Sequence, residues 1–183
     1  MSLRTAPARR TGSTAAVLAA ALACGLAVTA PAAHARPTAP AASGPLFSIA
    51  NYGSEKCLEV TDWSTGNGAT VRQWTCTGGA NQQWYWTTGN ELVNAHSGKC
   101  LDIPFASTEP GTQAVQWTCN GGTNQKWTDE AVSTFTNRWV NVNSNLVLDV
   151  AFGSLADGAP VIQWTRNAGP NQVWFPADFT AGP

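Results

Sequence analysis

Cys57-Leu-Glu-Val60, Cys100-Leu-Asp-Ile103 and Val147-Leu-Asp-Val150 are three versions of one tetrapeptide, and the residues after each keep a fixed spacing. Every copy then carries Gln-Trp-Thr, at Gln73-Trp74-Thr75, Gln116-Trp117-Thr118 and Gln163-Trp164-Thr165. Cys76, Cys119 and Arg166 come next, and each copy closes on Asn-Gln-x-Trp, ending at Trp84, Trp127 and Trp174. First and last residues lie 27 positions apart in all three copies, and the copies begin 43 and 47 residues apart.

A unit this short cannot bury its own apolar face, so the three must share one core. An open stack of three would leave sheet edges bare, whereas closure around a threefold axis removes them. Short β-prone runs divided by Gly, Asn and Ser, with no long helical period, make the domain all-β. The expected architecture is a closed barrel of three pseudo-symmetric lobes, each of four short strands. Ile49, Val93 and Val140 are read as opening the first strand of each lobe and facing inward. Trp84, Trp127 and Trp174 are core residues, and Gln82, Gln125 and Gln172 satisfy backbone groups at a turn. Gly98 and Asn145 stand where a turn needs positive φ, which Gly and Asn tolerate.

Outside the repeats, Arg4, Arg9 and Arg10 precede the uncharged, alanine-rich run 15–30, and Ala33-His34-Ala35 offers a small-x-small cleavage pattern. Residues 1–35 therefore read as a secretory signal peptide. Residues 36–45 read as a Pro/Ala/Ser-rich linker, 46–178 as the domain and 179–183 as a tail. The Arg9-Arg10 pair leaves general and twin-arginine export as alternatives. The remaining 148 residues carry seven basic and eleven acidic side chains, a net charge of −4. Such a surface has no electrostatic footprint for nucleic acid or anionic membrane. Four cysteines also remain, an even number that suggests two disulfides in an exported chain. Cys57 and Cys76 occupy the same two places in lobe one as Cys100 and Cys119 in lobe two. Lobe three has lost both partners at once, to Val147 and Arg166, as bridges within each lobe require.

The Cys-Leu-Asp-Ile, Gln-Trp-Thr-Cys and Asn-Gln-x-Trp series resembles the ricin B-chain type (QxW) β-trefoil lectins, also classed as family 13 carbohydrate-binding modules. The resemblance covers about residues 46–178. Lobe three is similar to the last sugar-binding lobe of the ricin B chain, its missing disulfide included. It implies a β-trefoil that binds carbohydrate through an Asp, an aromatic residue and an Asn in each active lobe. Here those are Asp102, Trp117 and Asn124 in lobe two, and Asp149, Trp164 and Asn171 in lobe three.

The chemistry of a pyranose suits this set. An ionised carboxylate accepts strong hydrogen bonds from adjacent hydroxyls, an amide adds a donor and an acceptor, and a tryptophan face covers the C–H patch. Phe105 and Phe152, three residues after each Asp, are candidates for an opposite wall. Lobe one departs from the pattern, with Glu59 beside Trp74 and Asn81. Arg72 stands nearby, and an ion pair with Glu59 would hide the carboxylate.

The resemblance implies galactose-type sugars or plant polysaccharides as ligands, and the secreted protein is expected to be a monomer without cofactor or metal. The lone His96 of the mature chain cannot populate a metal site. Glycoside hydrolysis needs two carboxylates flanking one bond, and each lobe repeats only one. A protease inhibitor would need a protruding reactive loop, and the largest insertion, Thr128 to Asn137, offers no reactive Lys or Arg. A scaffold trefoil without ligand is the third alternative.

Overall fold

Ala42 and residues 44–177 are described by the computed structural model, so the expected signal peptide, tail and most of the linker lie outside the described residues. The tetrapeptides that open the repeats are strands whose side chains are all buried at Cys57–Val60 and Val147–Val150, as covering both faces demands. Among the described residues twelve strands form, four per lobe. Lobe one has β1 Phe47–Asn51, β2 Cys57–Val60, β3 Val71–Trp74 and β4 Gln83–Trp86. Lobe two has β5 Leu92–Asn94, β6 Cys100–Asp102, β7 Val115–Trp117 and β8 Trp127–Ala131. Lobe three has β9 Asn137–Asn141, β10 Val147–Val150, β11 Val161–Trp164 and β12 Trp174–Ala177.

The first and last strands of the lobes make the barrel wall. Strand β1 pairs with β4 and β12, β4 with β5, β8 with β9, and β9 with β12. A bridge between Glu91 and Lys126 closes the remaining seam, between the first and last strands of lobe two. The hairpins β2–β3, β6–β7 and β10–β11 cap one end, linked pairwise by bridges Thr70–Val115, Gln113–Ile162 and Arg72–Pro160. The fold is a β-trefoil, as the repeat implies.

Trp84, Trp127 and Trp174 are buried, and each indole N–H donates to the backbone oxygen of the lobe's repeated leucine, Leu58, Leu101 or Leu148, at 3.0–3.2 Å. Gly98 and Asn145 do adopt positive φ, 66° and 58°, and Glu55 takes the same conformation in lobe one. The inward residues of the first strands differ from expectation. Leu92 and Trp139 join Ile49 in the central cluster, while Val93 and Val140 face the other way, pairing with Cys100 and Val147. Both faces of these strands are buried, so an apolar residue stands at either parity and alternation cannot fix the register. Disulfides join Cys57 to Cys76 and Cys100 to Cys119. Each closes a loop worth about 3 kcal/mol in the chain-entropy picture.

The glutamine of each Gln-Trp-Thr has a role that the repeat alone does not reveal. Gln73, Gln116 and Gln163 are fully buried, and each oxygen accepts from a serine of its own lobe, Ser54, Ser97 or Ser144. Each Nε2 donates twice to a neighbouring lobe: Gln73 to Ser154 and Ala156, Gln116 to Ser64 and Gly66, and Gln163 to Ser107 and Glu109. The three amides form a cycle that ties every lobe to the next. Gln116→Ala strands two carbonyls and a hydroxyl and should cost about 1–3 kcal/mol. Urea unfolding followed by tryptophan fluorescence measures it, and parental stability would show that the clamp does not hold the lobes.

Candidate functional site

Asp102 ends β6 and Asp149 stands third in β10, each at the mouth of its cap hairpin. The two are held alike. Oδ2 of Asp102 accepts from Gln125 Nε2 at 2.7 Å and Asn124 Nδ2 at 3.0 Å. Oδ2 of Asp149 accepts from Gln172 Nε2 and Asn171 Nδ2 at the same two distances. In both, Oδ1 accepts nothing among the described residues. Burial pushes both carboxyls above the ordinary aspartate range, against the lowering effect of the Gln and Asn donors.

The glutamines do satisfy a turn, since Nε2 also donates to Thr75, Thr118 or Thr165 and Oε1 accepts from the backbone N–H of Thr77, Asn120 or Asn167. Their second bond to the carboxylate is the feature that the repeat did not announce. The asparagines are positioned from a neighbouring lobe: Asn141 Nδ2 donates to the carbonyl of Asn124, and Asn51 Nδ2 to that of Asn171.

Trp117 and Trp164 are 42% and 41% exposed, far more than core tryptophans. A glycine of a neighbouring lobe backs each of them. A Cβ on Gly68 would stand 3.7 Å from Trp117, and one on Gly111 would stand 3.4 Å from Trp164. Both glycines have positive φ, 81° and 90°. Phe105 and Phe152 are fully exposed, and both take φ of 59°, a strained conformation for a bulky side chain. Nothing in the packing supports either ring. Together these residues line a cavity of about 260 Å³ in lobe two and one of about 690 Å³ in lobe three. Asn120 and Asn167 join the linings, and Gly111 and Gln113 extend the lobe-three cavity toward lobe two.

Lobe one is built differently. Glu59 Oε2 takes the Gln82 bond at 2.7 Å, but Oε1 is occupied by Arg72, through Nε at 3.0 Å and Nη2 at 2.8 Å. The Arg72 guanidinium also lies 4.3 Å from the centre of the Trp74 ring. Asp62, at the place of Phe105 and Phe152, turns to Arg72 at 3.3 Å. Asn81 is buried and its Oδ1 has no partner. Trp63 packs against Gly79, where an added Cβ would meet its ring at 2.9 Å, and its edge meets His96. Trp63 escapes the repeat pattern because it stands one position past the aromatic of the other lobes.

Among the described residues no group of three His, Cys, Asp or Glu could hold a metal, and no helix is long and apolar enough to cross a membrane. The profile of the ricin-type β-trefoil lectin domain matches residues 45–174. The chain belongs to that family. Its proteins bind carbohydrate. Among solved structures, a designed threefold-symmetric protein, ThreeFoil, is 38% identical with a TM-score of 0.70, over 73% of this chain and 98% of that one. An exo-β-1,3-galactanase from Clostridium thermocellum is 34% identical with a TM-score of 0.69, over 72% of this chain but only 30% of the enzyme. Serine protease 1 of Rarobacter faecitabidus is 43% identical over 37 residues, 20% of this chain and 7% of the protease.

Two outcomes follow from the geometry. Protonation removes the charged acceptor, so ligand binding at either Asp should fade as pH falls through a point above the usual aspartate range. A carboxyl raised in the folded state makes folding take up protons, so these two groups do not lower stability over that window. Asp157, bonded to Lys56 and Thr75, is shifted down and stabilises the fold until a lower pH. Binding should therefore be lost before the melting temperature drops, and simultaneous loss would contradict it. In the second outcome, Phe152→Asn relieves the strained conformation. It should raise stability by up to about 1 kcal/mol while weakening binding at lobe three, as thermal melts and titration with ligand would show.

Proposed function

We propose that this is a secreted, non-catalytic lectin that binds galactose-type or plant polysaccharides through lobes two and three, with lobe one closed. One observation carries the reading. Lobes two and three both repeat a carboxylate with one free oxygen, a half-exposed tryptophan and a carboxylate-bound asparagine, whereas in lobe one Arg72 takes the carboxylate oxygen and covers the tryptophan, and Asn81 does not bond the carboxylate. A core or turn-holding role would not leave Asp Oδ1 unpartnered or an indole face bare. The 34% identical unit within a galactanase favours a galactose-containing polymer. Paired cysteines fit an oxidising compartment, and one repeated carboxylate per lobe fits binding rather than hydrolysis.

A shallow pocket with one stacked ring should bind a monosaccharide near millimolar, or about −4 kcal/mol. Pockets in different lobes face apart, so only a branched or surface-bound polymer can fill both, and the second contact then gains from high effective concentration. Calorimetry with galactose and pull-down on insoluble polymer test this together. Polymer affinity should exceed monomer affinity by far more than twofold. Asp102→Ala or Asp149→Ala should each cost about 1.5–3 kcal/mol at its own site, and the double variant should lose the polymer. Polymer binding that survives the double variant would assign activity to lobe one, and equal affinity for monomer and polymer would refute multivalency.

A further inference from the structure

Beside lobe three lies a groove of about 310 Å³. It is lined by Arg138 on β9, by Ala168 and Pro170 of the turn after β11, and by Tyr52 of lobe one, which is 59% exposed. The same turn bounds the lobe-three cavity, which Asn167 lines. A glycan seated at Asp149 would need to cross only this turn to enter the groove.

The groove is short of negative charge. Arg138 reaches Glu130 Oε1 at 3.5 Å and the Asn167 carbonyl at 3.4 Å, both at the outer limit of a hydrogen bond, and its buried Nε has no partner. Glu130 is already engaged by Arg166 Nε at 2.8 Å. Two guanidiniums thus share one carboxylate. Arg166 stands where the other lobes have Cys76 and Cys119, and Tyr52 of lobe one where the others have Ala95 and Val142, so neither other junction between lobes carries this pair. A guanidinium whose Nη1 and Nη2 are held only by two long bonds is suited to a planar carboxylate, and an exposed aromatic beside it offers a face for a sugar ring.

We infer that this groove is a second carbohydrate contact, taking the carboxylate of a uronic acid residue on the glycan held at lobe three. The inference rests on the reading that lobe three binds sugar. The chain as a whole carries a net charge of −1, so a general field does not draw acidic polymers to it. A preference for one would have to be local.

The test titrates the full protein, at low salt, with a uronate-bearing galactan and with the same polymer after reduction of its carboxyl groups. The acidic form should bind about tenfold tighter. Arg138→Gln should abolish that preference and leave affinity for the reduced polymer unchanged, whereas Asp149→Ala should weaken both. Glu130→Gln removes the competing carboxylate and should widen the preference, which decides the matter if Arg138→Gln does not fold. Equal wild-type affinity for the two polymers, or a preference that survives Arg138→Gln or fails to widen in Glu130→Gln, overturns the groove. Failure of the wild type to bind the reduced polymer overturns instead the reading of lobe three.

Discussion

A buried primary amide must find partners for two hydrogens and an oxygen, and six glutamines in this protein do so at zero exposure. Three of them, Gln73, Gln116 and Gln163, clamp each lobe to a neighbour. The other three, Gln82, Gln125 and Gln172, close a turn and fix one oxygen of the site carboxylate. The second set turns a structural turn into a device that aims a charge. With one carboxylate oxygen held inside the protein, the other is left open in a defined direction, and the proposed ligand would need little ordering of the protein on binding.

The architecture was legible because the repeat is ungapped and because a three-unit β chain has one good way to cover its edges. The disulfides were legible from a paired loss in lobe three. The register of the first strands was not, since Ala50, Val93 and Val140 are as buried as Ile49, Leu92 and Trp139. Parity carries information only when one face of a strand is wet. The Asp, Trp and Asn of the candidate site were implied by the family resemblance and recur at one spacing in lobes two and three, but their support could not be read from the sequence. Gly68 behind Trp117, Gly111 behind Trp164, and Asn51 and Asn141 behind the site asparagines all come from another lobe. Contacts between repeats leave no trace in the spacing within one repeat.

The contrast between lobe one and its siblings shows how small a change closes such a site. Glu59 is longer than aspartate by one methylene and still keeps the buried glutamine bond. The extra length carries its outer oxygen to Arg72 rather than to the mouth of the cavity, and the guanidinium then covers the Trp74 face. Asp62 in place of a phenylalanine reinforces the same cation. An arginine held by two carboxylates and an aromatic ring is a stable internal arrangement, so a ligand would have to displace all three contacts before making any of its own. On the proposed reading, binding and local stability draw on the same groups, and lobe one resolves the competition toward stability.

Lobes two and three resolve it the other way, and the barrel makes that tolerable. A fully exposed phenylalanine in a left-handed conformation contributes nothing to the fold that holds it, and a carboxyl raised by burial is a charge placed where water would serve it better. Each opposes folding by an amount that an isolated unit of about 45 residues could not absorb. Closure changes the balance, because every lobe draws two clamp bonds and a hairpin bridge from its neighbours. Each tryptophan platform also rests on a glycine that belongs to another lobe. A single repeat would therefore lose the site geometry even if it kept its strands. The proposed pockets are properties of the closed ring.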